Sequence, residues 1–410
     1  MATQIFTNIS LLANTTKATG FVRGKELAVL PSLENAYIVI ENETIAEIGK
    51  MENCPFTTEG TALSKGTIVL PCWCDSHTHL VFAGSREEEF IDKIKGLSYA
   101  EIAAKGGGIL NSAKKLNETS EDQLFNQSWK RLEEVSKLGT GAIEIKSGYG
   151  LTLEGELKML RVIKKLKEKS SVEIRSTFLG AHAFPAEYKE NRPAYIDLII
   201  NEMLPVIAKE KLADFIDVFC EKGFFSAEEM QIICEAGKSF GLKSKLHVNQ
   251  LTSIGGIETG ISVDALSLDH LETLNEQEIQ MLGSYKGSST LLPTAAFFLR
   301  SEFPSARKLI EAGAAVALAS DYNPGSSPSG NMNFAVSLSC IQMKMLPKEA
   351  INAATVNGAA AMEIEKDYGS IAVGKKANLI FTKPVPSLAY LPYSFATNLI
   401  DKVMIKGSFI

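Results

Sequence analysis

Through the middle of the chain, short runs of apolar and β-branched residues alternate with longer stretches whose apolar positions recur at helical spacing. The runs fall near residues 67–73, 141–146, 172–180, 214–220, 243–248, 263–268, 288–293 and 315–319. Between them lie amphipathic stretches such as Ser120 to Leu138, Glu154 to Lys167 and Ser226 to Phe240, each dividing an apolar face from a polar one. Eight strand–helix alternations predict a parallel (β/α)8 barrel, and the span suits the ~250 residues typical of that fold. The two ends read differently. Ala36-Tyr37-Ile38-Val39-Ile40 and Thr44-Ile45-Ala46-Glu47-Ile48 flank Glu41-Asn42-Glu43, a hairpin signal. Ala377 to Phe381 and Lys402 to Lys406 return to strand patterning. Both ends are expected to form one small β-sandwich domain, from residues 1–66 and 369–410, with 67–368 as the barrel.

Composition changes this picture little. The chain has 410 residues, 45% hydrophobic and 22% charged, near the average for a soluble globular protein. A net charge of -6 and the lack of a Lys/Arg stripe argue against nucleic acid as a partner. The most basic stretch, Arg161 to Lys169, is interrupted by Val162, Ile163 and Leu166 and reads as a solvated helix face. No apolar run approaches a membrane span, and no charged-then-apolar leader opens the chain. The six cysteines, Cys54, Cys72, Cys74, Cys220, Cys234 and Cys340, form neither a disulfide ladder nor a zinc finger. A reduced, cytoplasmic protein is expected.

The candidate chemistry lies just after the apolar runs. Ser147-Gly148-Tyr149, His182, Glu221, His247-Val248-Asn249-Gln250, Asp269-His270 and Asp321-Tyr322-Asn323 all follow one. In such barrels the site sits at the C-terminal strand ends, so these residues converge although distant in sequence. The chain has five histidines, His77, His79, His182, His247 and His270, and each falls at such an end. In a strand, residues i and i+2 share a face, so Asp75-Ser76-His77-Thr78-His79 presents two imidazoles to one point. Imidazole is the commonest metal ligand, and a metal site follows.

Longer motifs carry a resemblance. Residues 77–90 read His-Thr-His-Leu-Val-Phe-Ala-Gly-Ser-Arg-Glu-Glu-Glu-Phe, and residues 106–109 read Gly-Gly-Gly-Ile. Residues 144–151 read Glu-Ile-Lys-Ser-Gly-Tyr-Gly-Leu, and residues 180–188 read Gly-Ala-His-Ala-Phe-Pro-Ala-Glu-Tyr. Residues 217–225 read Asp-Val-Phe-Cys-Glu-Lys-Gly-Phe-Phe, and Asp321-Tyr322-Asn323-Pro324-Gly325-Ser326 completes the set. The chain resembles the amidohydrolase superfamily, and within it the imidazolonepropionase family of histidine degradation. The likeness runs over nearly the whole chain, including Gly369 to Lys375 ahead of the last β segment. One departure stands out: Asn117, in Leu116-Asn117-Glu118-Thr119, replaces an arginine common in the family. It puts a loop contact or an interface in doubt, and no metal ligand.

The resemblance implies hydrolysis of 4-imidazolone-5-propanoate to N-formimidoyl-L-glutamate, with water attacking a ring carbon and the cyclic C–N bond opening. It implies one Zn²⁺ or iron ion per subunit on His77, His79, His247 and Asp321. A metal cation lowers the pKa of water, and imidazole with carboxylate suits either metal. His270 is expected to orient the water. Either His270 or Asp321 is the base, and a fourth imidazole ligand is the alternative role of His270. Glu221 could recruit a second ion, though one metal is favoured. Lys146 lies on the second strand rather than the fourth, which argues against a carbamylated bridging lysine.

Arg86, with its two-donor fork, is the expected propanoate anchor, with Tyr149 and Tyr99 as helpers. His182 is expected to hydrogen-bond the ring or the carboxylate. Gln250 is assigned to the site for catalysis and ring recognition. Many deaminase relatives carry Glu there; Gln cannot relay a proton but can hydrogen-bond an imidazolone. Asn323, Gly325 and Ser326 form a turn that could hold the ring or the product. The rival is another amidohydrolase, a heterocycle deaminase or cyclic-amide hydrolase, against which Gln250, Arg86 and Gly148-Tyr149-Gly150 weigh. The partner is a small-molecule substrate, and the class suggests a homodimer.

Overall fold

The computed structural model describes residues 3–56, 60–97, 101, 107–395 and 397–410. Eight parallel strands form the central sheet in chain order: β6 (Trp73–Asp75), β7 (Thr140–Lys146), β8 (Glu173–Ala181), β9 (Phe215–Cys220), β10 (Lys243–Val248), β11 (Ser267–His270), β12 (Ser288–Leu291) and β13 (Val316–Leu318). The sheet closes on itself just past the named strands. Thr78 bridges Tyr322 in parallel. The Asp321 N–H donates to the His77 carbonyl at 3.0 Å, and the His79 N–H to the Tyr322 carbonyl at 2.9 Å. Asp75 seals the seam by accepting from the Ser320 N–H at 2.9 Å and its hydroxyl at 2.5 Å. The barrel inferred from the periodicity is therefore present.

The chain ends build a separate mixed sheet. It comprises β1 (Thr3–Ala13), β2 (Ser32–Glu41), β3 (Thr44–Lys50), β4 (Thr61–Ala62), β5 (Ile68–Pro71), β14 (Leu379–Thr382), β15 (Ile400–Ile405) and β16 (Ser408–Phe409). The expected hairpin is the antiparallel pair β2–β3, with Asn42 taking the left-handed turn at φ 55° that Asn tolerates. Phe6, Ile9, Leu12, Ile38, Ile40, Val69, Leu379, Phe381 and Met404 pack as its own apolar core.

Two runs read differently in the structure. The run at 67–73, expected as one barrel strand, is divided. Ile68–Pro71 pairs with β1 and β14 in the small sheet, and only Trp73–Asp75 enters the barrel. Pro71 ends β5, where its missing N–H costs the ladder least. The run at 263–268 becomes a strand only from Ser267. The helix Gly256–Ser262 precedes it, and Asp264 turns the chain at φ 56°.

The barrel's apolar core lies outside its strands, against helices such as Leu153–Lys169 and Ala227–Ser239. There Leu157, Leu160, Ile163, Met230 and Ile233 are buried. The interior is different. Branched apolar layers are usual there, but here Glu144, Lys146, Asp217, Lys245 and Asp269 are all buried. Charges without water must pair, and these do, beneath the strand ends.

Candidate active site

The strand ends deliver four histidines and one aspartate to one point. His77 and His79 follow β6, His247 lies in β10, His270 ends β11, and Asp321 follows β13; all five are buried. His77 Nε2 stands 3.1 Å from His247 Nε2, and His247 Nε2 stands 3.3 Å from His79 Nε2. Asp321 Oδ1 lies 3.6 Å from His77 Nε2 and 3.5 Å from His79 Nε2. Two triads, His77–His79–His247 and His77–His270–Asp321, hold donor atoms within 4.8 Å of one another.

The far sides of two rings explain this crowding. His77 Nδ1 is 2.6 Å from Asp269 Oδ2, and His247 Nδ1 is 2.8 Å from Asp217 Oδ2. A carboxylate accepts only, so each Nδ1 carries the proton and each Nε2 presents a lone pair. Burial, with the neighbouring cations, holds His77, His79 and His247 well below the ordinary imidazole range, so they are neutral. Neutral Nε2 atoms facing each other at 3.1 Å repel unless a cation lies among them, and the donor set of imidazoles and carboxylate suits a metal ion.

The surrounding backbone is bent to this purpose. His270 at φ 86°, Asp321 at φ 52° and Asn249 at φ 55° lie in the left-handed region, a conformation that costs such residues about 1–3 kcal/mol each. Ser326 donates to Asp321 Oδ2 at 3.1 Å. Burial raises Asp321 to about 6, opposed by His270. His270 Nδ1 lies 3.3 Å from Glu272 Oε1. Burial acts to lower His270, but Glu272, Asp321 and Asp269 outweigh it and leave it above its ordinary value.

The other expected residues surround this centre. His182 is stacked on His79, ring centroids 5.3 Å apart, and its Nδ1 donates to the Gly148 carbonyl at 2.9 Å. Burial pushes His182 down to about 4. The Tyr149 ring lies 5.9 Å from His79 and 5.4 Å from His182. Arg86 reaches over it with Cζ 5.7 Å from the ring centroid. Arg86 Nε donates to the Ser112 hydroxyl at 2.8 Å, while its buried Nη2 has no hydrogen-bond partner among the described residues. Gly325 lies against the same guanidinium: a Cβ there would sit 2.5 Å from Nη1.

Asn323 is used within its own turn. Its amide donates to the Asp321 carbonyl and the Ser326 hydroxyl at 2.7 Å and accepts from the Gly325 and Ser326 N–H groups at 2.8 Å. Gln250 is half-buried in the loop after β10, with no hydrogen bond among the described residues. Tyr99 lies outside the described residues. The Glu221 carboxylate accepts from the N–H groups of Lys222, Leu251 and Thr252 at 2.9, 2.8 and 3.2 Å, and from the Thr252 hydroxyl. It anchors the Gln250 loop.

Sequence reasoning named Lys146, Asp269 and Asn117 but assigned them, with Asp217, Glu144 and Glu156, no part in supporting the site. Asp217 and Asp269 hold two of the histidines. Lys146 Nζ sits beneath them, 2.9 Å from Asp217 Oδ2, 3.8 Å from Asp269 Oδ2 and 2.7 Å from Glu144 Oε1. Their signal was present: in Glu144-Ile145-Lys146 the charged residues alternate within an apolar strand, so both face inward. Buried Glu156 accepts from the N–H groups of Gly148, Gly150 and Leu151 at 3.0, 2.7 and 3.0 Å and so holds the Tyr149 loop. Asn117 supports the same loop, donating to the Gly150 carbonyl at 3.0 Å. Cavities elsewhere are less informative. One of about 690 Å³ lies against the small sheet and contains none of these residues.

Comparison with known proteins agrees with this geometry. Residues 68–410 match the amidohydrolase family. The chain is 58% identical over 390 residues to an imidazolonepropionase of Flavobacterium johnsoniae, covering 95% of each chain. It is 41% identical over 393 residues to an imidazolonepropionase of Alkaliphilus oremlandii, covering 95% of this chain and 93% of that one. Among solved structures, Escherichia coli guanine deaminase superposes with a TM-score of 0.72 at 13% identity, covering 100% and 99% of the two chains. An atrazine chlorohydrolase mutant of Arthrobacter aurescens, complexed with zinc and atraton, gives 0.69 at 13% identity, covering 99% and 94%. At such identities the structural likeness speaks for the fold alone.

Proposed function

We infer that this chain, which belongs to the amidohydrolase family and within it to the imidazolonepropionases, hydrolyses the ring of 4-imidazolone-5-propanoate to N-formimidoyl-L-glutamate. The observation that carries the reading is one juxtaposition. A metal-donor cluster of His77, His79, His247 and Asp321 lies beside Tyr149, and over that ring reaches a guanidinium, Arg86, whose buried Nη2 has no hydrogen-bond partner among the described residues. A substrate with a hydrolysable ring at one end and a carboxylate at the other suits both.

His77, His79, His247 and Asp321 would hold one Zn²⁺ or iron ion. When bound, the ion supplies a Lewis acid that polarises the ring carbonyl and makes water acidic near neutral pH. The remaining work belongs to the chain's own groups. Arg86 binds the propanoate through its Nη2 N–H groups, and the Tyr149 hydroxyl completes the clamp. His182, neutral and stacked on His79, hydrogen-bonds the ring, and Gln250 reads the ring amide. Asn323, Gly325 and Ser326 keep the turn beneath Arg86 and Asp321 in shape.

His270 takes the proton of the attacking water on Nε2 while Glu272 stabilises the imidazolium from the Nδ1 side. The same proton goes to the ring nitrogen as the C–N bond opens, so the enzyme ends unchanged. The substrate is a small molecule. No helix among the described residues is long and apolar enough to cross a membrane. We propose a homodimer in the cytoplasm.

Fresh 4-imidazolone-5-propanoate mixed with metal-loaded protein should lose its ultraviolet absorbance with wild type and not with Asp321→Ala. Loss of absorbance should match formation of N-formimidoyl-L-glutamate. Metal-bound protein that gives no enzyme-dependent loss would sink the assignment and turn attention to the rival cyclic-amide substrates.

A further inference from the structure

Beneath the histidines lies a closed set of five buried charges: Glu144, Asp217 and Asp269 against Lys146 and Lys245. The two lysines are not equivalent. Lys245 Nζ reaches Glu144 Oε2 at 3.2 Å and the Ala361 carbonyl at 3.1 Å, toward the bottom of the barrel. Lys146 Nζ instead touches Asp217 at 2.9 Å and stands 3.8 Å from Asp269. Those same oxygens, Asp217 Oδ2 and Asp269 Oδ2, receive His247 Nδ1 and His77 Nδ1 at 2.8 and 2.6 Å. One ammonium on β7 is therefore common to the supports of two rings from β10 and β6.

We propose that Lys146 is a positioning residue for the metal centre. It holds Asp217 and Asp269 side by side as acceptors, and this fixes the His247 and His77 rings with both Nε2 lone pairs on one point. The inference rests on the metal reading given above. Without this cation, two carboxylates brought together from β9 and β11, on either side of β10, would repel and rotate apart. The rings they orient would follow. A hydrogen-bonded partner of a ligating histidine is commonly worth 10–100-fold in metal affinity. Lys146 acts through two such partners at once.

The test compares variants matched in buried charge. Lys146→Met alone leaves carboxylates uncompensated and is expected to unfold. Lys146→Met with Glu144→Gln keeps the cluster at -1, since three acids and two lysines become two acids and one lysine. Lys245→Met with Glu144→Gln removes the same charges yet keeps Lys146 on its aspartates, and is the control. Each protein, checked for folding by circular dichroism, is loaded with Zn²⁺ and challenged with a chromogenic chelator.

The expected result is Zn²⁺ affinity about 10–100-fold weaker in the Lys146 double variant and close to wild type in the control. Equal loss in both, or no loss in either, would overturn the role of Lys146. Wild type that holds neither Zn²⁺ nor Fe²⁺ against the chelator would instead overturn the metal reading, and with it this inference.

Discussion

At the scale of single residues, the site depends on close approaches between side chains and backbone. Gly325 is such a case, since any side chain there would meet the Arg86 guanidinium. Gly325→Ala should displace Arg86, the proposed propanoate anchor, without touching a metal donor. We expect KM to rise about tenfold, the effect of roughly 1.4 kcal/mol, with kcat little changed; steady-state kinetics would show it, and an unchanged KM would remove Arg86 as anchor.

His182 makes a different prediction. Its folded value of about 4 lies below the unfolded value of 6.5, so between those values the unfolded chain binds the extra proton. Stability is then intact above pH 6.5 and falls as pH drops toward 4, by about 3 kcal/mol from this group. In metal-free protein, His182→Asn should flatten that part of the pH–stability curve relative to wild type. Denaturant titrations across pH 4–7 would measure it, and parallel curves would refute it. The five histidines were legible as a cluster because each follows an apolar run. Glu221 was harder to read. Beyond the Lys222 N–H, its partners are the Leu251 N–H and the N–H and hydroxyl of Thr252, thirty residues onward, a placement to which local sequence gives no clue.

At the scale of elements, the loops are built as carefully as the strands. The loop after β7 carries Tyr149, and a single buried carboxylate, Glu156 on the following helix, accepts three of its N–H groups. Glu156→Ala would strand those donors, at a cost of about 1–3 kcal/mol for each one left buried without water. Loss of stability in denaturant melts should accompany a rise in KM, because Tyr149 loses its seat. A variant as stable as wild type would show that the loop is held by other means. Strand existence was legible from apolar runs, but strand membership was not. Ile68–Pro71 and Trp73–Asp75 look like one run, and only hydrogen bonding to β1 and β14 assigns the first to another sheet. Such partners are distant in sequence and leave no local mark.

At the scale of the whole molecule, the architecture was readable because alternation and composition agree. Helical spacing between short runs fills the middle, and strand patterning returns at both ends. The two ends then depend on each other. Removing residues 400–410 would delete β15 and β16 and the buried Val403, Met404 and Ile405. Each buried apolar side chain contributes about 1.5–3 kcal/mol, against a net stability of about 5–15 kcal/mol for a typical domain. The shortened chain should melt much lower or precipitate, although it retains every candidate site residue; an unaltered melting curve would contradict this.

The pairing of β5 with β14 also has a meaning in time. Pro71 and Leu379 are register partners separated by 308 positions. At about 5–20 residues per second, a ribosome needs roughly 15–60 s to make the intervening chain. Throughout that interval the nascent chain carries an apolar strand edge, Ile68–Pro71, whose neighbour has not yet been synthesised. The histidine pair at 77 and 79 leaves the ribosome right behind that edge, so the first half of the metal site is made while its supporting sheet is still open.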